Sequence, residues 1–204
     1  MSNQDIKQKA NKVAGFLSDS DIDAIGEIAS QLPDSGNLIE LGSLFGKSAT
    51  AWAEFLKSKS YTIYAVDLFM IDLMARSRPD REIFSAQFEG MIKYLIDKDI
   101  THLQEFKNNT SEYKNIKPII GRSEYYLDTL PQAYCIFEDS DHHAYSLRKL
   151  PDWWDKILPG GILCGHDYDL PDVSIAATSL SNAVNQPVTL YENSSMWSIK
   201  KPNE

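Results

Sequence analysis

Carboxylates and imidazoles in this chain gather at the ends of apolar runs. Glu40 closes the run 37–41, Asp67 follows 61–66, and Glu138-Asp139 follows 133–137 with Asp141 and His142 just beyond. His166-Asp167 follows 161–164. The interiors of these runs are apolar, so the clustering is not random scatter. A positioned carboxylate or imidazole can take a proton from a hydroxyl. Several carboxylates with one or two nitrogens can instead hold a hard divalent cation such as Mg²⁺ or Mn²⁺.

A second chemical signal is the stretch Glu40-Leu41-Gly42-Ser43-Leu44-Phe45-Gly46-Lys47-Ser48. Gly42 lets the backbone turn tightly and approach a ligand without a Cβ in the way. Gly46 lets the following helix begin close to the strand, and the N–H groups at that helix start attract a carboxylate or other anion. Asp67 lies 21 residues past Gly46, where a strand-end acid can bind ribose hydroxyls. A phosphate-binding P-loop would need a glycine at position 41, which is Leu41. A dinucleotide fingerprint would need a third glycine, and pyrophosphate sits badly beside the Glu40 carboxylate. A cationic sulfonium with an amino group is easier to place there.

The elements that must position these groups follow from periodicity. Residues 4–32 read as two short helices, with Ser20 as a candidate N-cap of the second. Strands are expected over 37–41, 61–66, 117–120, 133–137 and 161–164. Helices are expected over 47–59, 80–98, 101–113, 144–157 and 173–185. Strands 187–191 and 196–200 form a terminal hairpin. Strand and helix in alternation imply a doubly wound α/β sheet covered on both faces, and its ligands bind outside the strand carboxyl ends. The domain organisation is a single unit over 1–204. N-terminal helices occupy 1–35, a cofactor-binding core 36–200, and a helical insertion 70–100 lies where a lid would sit. Phe84, Phe88, Met91, Tyr94 and Leu95 have the spacing of a packing face. Trp153 and Trp154 read as core or interface, and Arg76–Arg81 as solvated charge.

The formal net charge of -9 opposes binding to nucleic acid or anionic membrane. No stretch reaches the about 18 apolar residues a membrane span needs. The polar N-terminus lacks the apolar segment of a secretory signal. Cys135 and Cys164 lie inside apolar runs and read as buried free thiols. A reducing cytoplasmic setting is the expectation, with a homodimer left open.

The stretch Glu40–Ser48 resembles motif I of class I S-adenosylmethionine-dependent methyltransferases, in its E-x-G-x-x-x-G-x-S form. Gly121-Arg122-Ser123 resembles the G-x-S after the third strand. Phe137-Glu138-Asp139-Ser140-Asp141-His142-His143-Ala144-Tyr145 is similar to the F-I-D-G-D-H-S-Y-E signature of one subgroup, and residues 159–168 to its P-G-G-x-x-x-x-H-D-Y. Met196–Lys200 also fits. The subgroup is the methyltransferase-24-like set, relatives of macrocin-type O-methyltransferases and cephalosporin hydroxylase-like proteins. The match spans roughly residues 36–200. Glu138 and Ser140 depart from the pattern, standing where it has an apolar residue and a glycine.

The resemblance implies a Rossmann-like fold with a seven-stranded, mostly parallel sheet in the order 3-2-1-4-5-7-6. It implies S-adenosylmethionine bound by Glu40, Gly42, Ser43, Gly46, Ser48, Asp67, Leu68, Arg122, Ser123 and Asp139. Glu40, Gly42 and Ser43 would line the methionine end, Asp67 the ribose, and Arg122 and Ser123 the adenine, with Asp139 beside the methyl. Catalysis would fall to Asp139, Asp141 and His142, with Asp141 or His142 as base. Asp139, His166 and Asp167 would hold Mg²⁺ or another divalent cation. His142 and His166 are also compatible with structural roles, bonded to Asp139 or Asp167. The expected reaction is O-methylation of a small, sugar-like acceptor, since no Asn/Asp-Pro-Pro-Tyr run follows the fourth strand. The alternatives are N- or C-methylation on the same fold, a hydroxylase-like role, or a non-catalytic cofactor-binding accessory protein.

Overall fold

The computed structural model describes residues 2–71, 73, 86–140, 142 and 144–203. Two helices, α1 (Asn3–Ala10) and α2 (Asp19–Gln31), precede β1 (Ser35–Leu41), α3 (Lys47–Phe55) and β2 (Ser60–Asp67). Then come α4 (Ala86–Lys98), α5 (His102–Asn109), β3 (Ile116–Ile120), β4 (Ala133–Glu138), α6 (Ala144–Leu147) and α7 (Leu150–Lys156). The chain closes with β5 (Ile157–Gly165), α8 (Pro171–Val184), β6 (Val188–Leu190) and β7 (Trp197–Lys200). The sheet runs β3-β2-β1-β4-β5-β7-β6. The first five strands are parallel, and β7 is antiparallel to both its neighbours. This is the order the family resemblance implied.

Side chains of successive strand residues point to opposite faces, and each face is apolar. Leu38, Ile63, Cys135 and Ile162 pack under α2 and α3 with Trp52 and Phe106. Ile39, Ile136, Leu163 and Ile199 pack against α7 and α8 through Trp153, Trp154, Val173, Ala177 and Leu180. Trp153 and Trp154 are therefore core. Cys135 and Cys164 are buried free thiols with their sulfurs 3.7 Å apart. No helix among the described residues is long and apolar enough to cross a membrane.

Several element ends differ from the sequence expectation, each for a local reason. The cap of α2 is Ser18, not Ser20: Ser18 and Asp21 form a reciprocal capping box. Asp21 is also held by Ser194 and Ser195 in the β6–β7 turn, which selects the earlier start. The helix expected over 144–157 breaks into α6 and α7. Pro151 cannot extend a helix through Leu147, whose carbonyl its ring would meet, and it sits instead in the first turn of α7. Strand β5 starts at Ile157 rather than 161, because Gly160 N–H joins the Lys201 and Pro202 carbonyls. Within the 70–100 insertion, Met91 and Leu95 of α4 pack on Val13, Leu44 and Phe45. Phe84, Arg76, Arg78 and the first residues expected of this helix lie outside the described residues.

Candidate active site

The sheet's hydrogen-bond ladder continues one residue past the strand ends. Gly42 N–H donates to Val66 O at 2.8 Å, Asp139 N–H to Leu41 O at 2.8 Å, His166 N–H to Glu138 O at 3.1 Å, and Gly121 N–H to Asp67 O at 2.9 Å. The chemistry-bearing residues thus stand in a row on a rigid rim. Beyond that rim the backbone is forced. Leu44, Phe69, His142 and Asp167 have φ of 45°, 48°, 54° and 57°. Side-chain-bearing residues hold such left-handed geometry only where their surroundings over-determine it.

At the glycine turn the space a side chain would need beside each glycine is taken by the chain itself. Gly42 has φ 87°, and a Cβ there would lie 2.1 Å from the Asp139 carbonyl oxygen. Gly46 has φ 89°, and its Cβ would lie 2.8 Å from Thr110 Cγ2. Both glycines are needed for backbone conformation and for close approach to β4 and α5. Asp67 folds back onto the turn. Its Oδ2 accepts from Ser43 N–H and Leu44 N–H at 3.0 and 2.9 Å, and its Oδ1 from Phe69 N–H at 2.8 Å. A carboxylate has about four lone-pair positions, so with the donors among the described residues counted, one on Oδ1 remains for another. Two residues not singled out in the sequence clamp the same turn from α5. His102 Nε2 lies 2.8 Å from Leu44 O, and Asn109 Nδ2–H donates to Phe45 O at 3.0 Å. Their spacing carries no motif; only the packing of α5 brings them here.

Glu40 is fully buried below this turn. The Ser43 hydroxyl donates to its Oε2, and its Oε1 has no hydrogen-bond partner among the described residues. Burial, with Asp139 and Asp67 nearby, outweighs the Ser43 and Ser48 hydroxyls and lifts the carboxyl to about 7. Ser48 is buried and Leu68 exposed. Arg122, expected at the adenine, turns its guanidinium to Glu124 at 2.7 Å, and the Ser123 hydroxyl donates to the same carboxylate at 3.4 Å. The two departures from the family pattern answer each other: the amide and hydroxyl of Ser140 both donate to Glu138, which is buried and lifted to about 7 by that burial.

On the other half of the rim, imidazoles and carboxylates converge. His166 Nδ1 lies 3.1 Å from Asp167 Oδ1 and 3.6 Å from Asp139 Oδ1, and its Nε2 lies 3.2 Å from Asp21 Oδ2. Burial opposes its charge, but the three carboxylates prevail and push its pKa up to about 12. His142 Nε2 lies 3.3 Å from Asp167 and 3.7 Å from Asp139. The residue is half-buried, and its Nε2 atom, itself buried, has no hydrogen-bond partner among the described residues. Burial again resists protonation, and Asp139, Asp167 and Glu138 raise the pKa above its ordinary value. Asp139, His166 and Asp167 each present a ligand atom within 4.8 Å of the others. Asp141 lies outside the described residues. The rim is thus rich in carboxylates, and its field favours a cationic guest.

The fold and this crevice define a Rossmann-like domain of the class I methyltransferase type. The model of a methyltransferase domain family, methyltransferase-24, matches residues 39–168, and the chain belongs to that family. It is an S-adenosylmethionine-dependent methyltransferase, and S-adenosylmethionine is the cofactor expected of the family. No curated protein sequence matches the chain. Among solved structures it resembles a putative caffeoyl-CoA O-methyltransferase from Staphylococcus aureus at 13% identity and TM-score 0.61, covering 98% of this chain and 91% of that one. It resembles the O-methyltransferase NovP at 13% identity and TM-score 0.60, covering 93% and 82%. A precorrin 8w decarboxylase from Methanobacterium thermoautotrophicum is similar at 11% identity and TM-score 0.59, covering 93% and 92%. At these identities the likeness is one of fold.

Proposed function

We propose that the protein transfers a methyl group to a hydroxyl of a small, sugar-like acceptor, with a divalent cation at the strand ends. The observation that carries this reading is the meeting of Asp139, His142, His166 and Asp167 on one rim, next to the turn over Glu40. When bound, S-adenosylmethionine supplies an electrophilic methyl on a sulfonium. Glu40 fits the cationic end of that molecule: it is buried, and one oxygen lacks a donor among the described residues. Gly42, Ser43, Gly46 and Ser48 shape this end, where α3 has no side-chain cap on its first-turn amides; those amides suit a carboxylate. Asp67 offers its remaining lone pair to a ribose hydroxyl, with Leu68, Arg122 and Ser123 flanking the base.

The donor set of Asp139, His166 and Asp167 suits a hard or borderline divalent cation. Such a cation, when bound, would lower the pKa of a coordinated hydroxyl. Asp139 would hold the acceptor oxygen in line with the methyl, since orientation is the main thing an enzyme gives to such a displacement. His142, whose buried Nε2 has no hydrogen-bond partner among the described residues, would take the hydroxyl proton. Calorimetric titration with S-adenosylhomocysteine, with and without MgCl₂, tests the reading. Binding that tightens with Mg²⁺ and loses that gain in Asp139→Ala supports it. Metal-indifferent binding removes the cation and leaves His142 and Asp139 as a metal-free pair. No binding at all overturns the assignment of the cleft.

A further inference from the structure

The N-terminal helices reach into the site through one side chain. Asp21 is buried, and its position at N3 of α2 would ordinarily serve only the capping box with Ser18. Here it does more. Its Oδ2 accepts from Ser18 N–H and hydroxyl at 2.7 Å each and faces His166 Nε2 at 3.2 Å. Its Oδ1 accepts from the Ser194 hydroxyl at 2.7 Å and Ser195 N–H at 3.2 Å. The Ser195 hydroxyl in turn accepts from Asp167 N–H at 3.2 Å. One carboxylate therefore joins the start of α2, the β6–β7 turn and the imidazole beside Asp139 and Asp167.

We propose that Asp21 is a positioning residue for His166: by accepting the Nε2 proton it fixes the ring so that Nδ1 faces Asp139 and Asp167. A ring held at Nε2 by an anion cannot flip to offer that nitrogen to the site. It also leaves Nδ1 the more basic donor toward a cation. Carboxylate partners of this kind orient histidine ligands in metal sites, and losing one typically costs about 10–100-fold in metal affinity. The inference rests on reading the strand-end cluster as the reaction site, and it assigns α2 a role in that site beyond packing.

Two readouts on the full chain test it. The first is the ring-nitrogen spectrum of histidine-labelled protein, with His166 assigned among the four histidines by His166→Gln. The wild type shows an exchange-protected Nε2 proton on His166 that persists when MgCl₂ is added. Asp21→Ala loses it. Asp21→Asn keeps it but moves it upfield, because a neutral amide oxygen is a weaker acceptor than a carboxylate. The second readout is MnCl₂ binding by electron paramagnetic resonance, where Asp21→Ala weakens affinity about 10–100-fold and Asp21→Asn restores most of it. Ser194→Ala cuts the tether to the turn and leaves both readouts as in the wild type, which separates positioning from mere anchoring. A rapidly exchanging Nε2 proton in the wild type overturns the proposal, as does a protected proton in folded Asp21→Ala. Should Asp21→Ala fail to fold, an unshifted proton in Asp21→Asn overturns it as well. A wild type with the protected proton but no Mn²⁺ binding removes the cation from the proposed function and leaves the role of Asp21 standing.

Discussion

Replacing Glu40 by glutamine should trade function for stability, in a pH-dependent way. Glu40 is fully buried, and that burial lifts its carboxyl from the ordinary 4.5 to about 7. The folded state therefore holds this proton over a window in which the unfolded chain has released it. The folded-state pKa is raised, so the carboxyl costs no stability below 4.5, costs progressively more as pH rises, and reaches its full cost above about 7. At about 1.4 kcal/mol per unit, the loss between about pH 5 and pH 8 is about 2–3 kcal/mol. Glutamine keeps the shape without the charge. Its extra N–H donors add a cost that does not vary with pH, so the informative quantity is the change of Tm between the two pH values. For a chain of this size that change should shrink by roughly 5–10 °C relative to wild type. Differential scanning fluorimetry in both buffers measures it. His166 also loses stabilisation as pH rises, but equally in both proteins. Calorimetry should at the same time show S-adenosylhomocysteine bound about 1.5–3 kcal/mol more weakly, from loss of a charged hydrogen-bond acceptor. An unchanged pH dependence of Tm in Glu40→Gln would refute the burial argument, and unchanged affinity would refute the placement of the methionine end.

Asp67→Ala should weaken cofactor binding by about 1–3 kcal/mol and also lower Tm, because Ser43 and Leu44 amides lose their acceptor; a mutant with lowered Tm and wild-type affinity by calorimetry would confine Asp67 to the turn. Gly42→Ala should destabilise by about 2–5 kcal/mol, combining left-handed strain with the clash at the Asp139 carbonyl. Chemical denaturation measures this, and a loss below about 1 kcal/mol would mean that the rim can shift at that point.

Periodicity and strand-end residues were enough to place the sheet, its terminal hairpin and the acidic rim, because an apolar run ending in Glu40, Asp67, Asp139 or Asp167 encodes both a buried strand and what stands at its mouth. Local competition decided what periodicity could not. Pro151 split one expected helix, and Asp21 moved the start of another from Ser20 to Ser18. The rim itself was only partly legible. Glu40 and His166 could be named as candidates, but not that burial lifts the carboxyl of the first or that three carboxylates around the second raise its pKa. His102, Asn109 and Asp21 carry no motif. They act on the site because α5 and the N-terminal helices fold back over the strand ends, which brings together residues as far apart as Asp21 and Ser194. By itself the sequence determined which groups stand at the strand ends, since side-chain alternation and turn chemistry are local. Only the tertiary structure decided their protonation and partners, since burial and charge pairing depend on neighbours that the chain brings in from a distance.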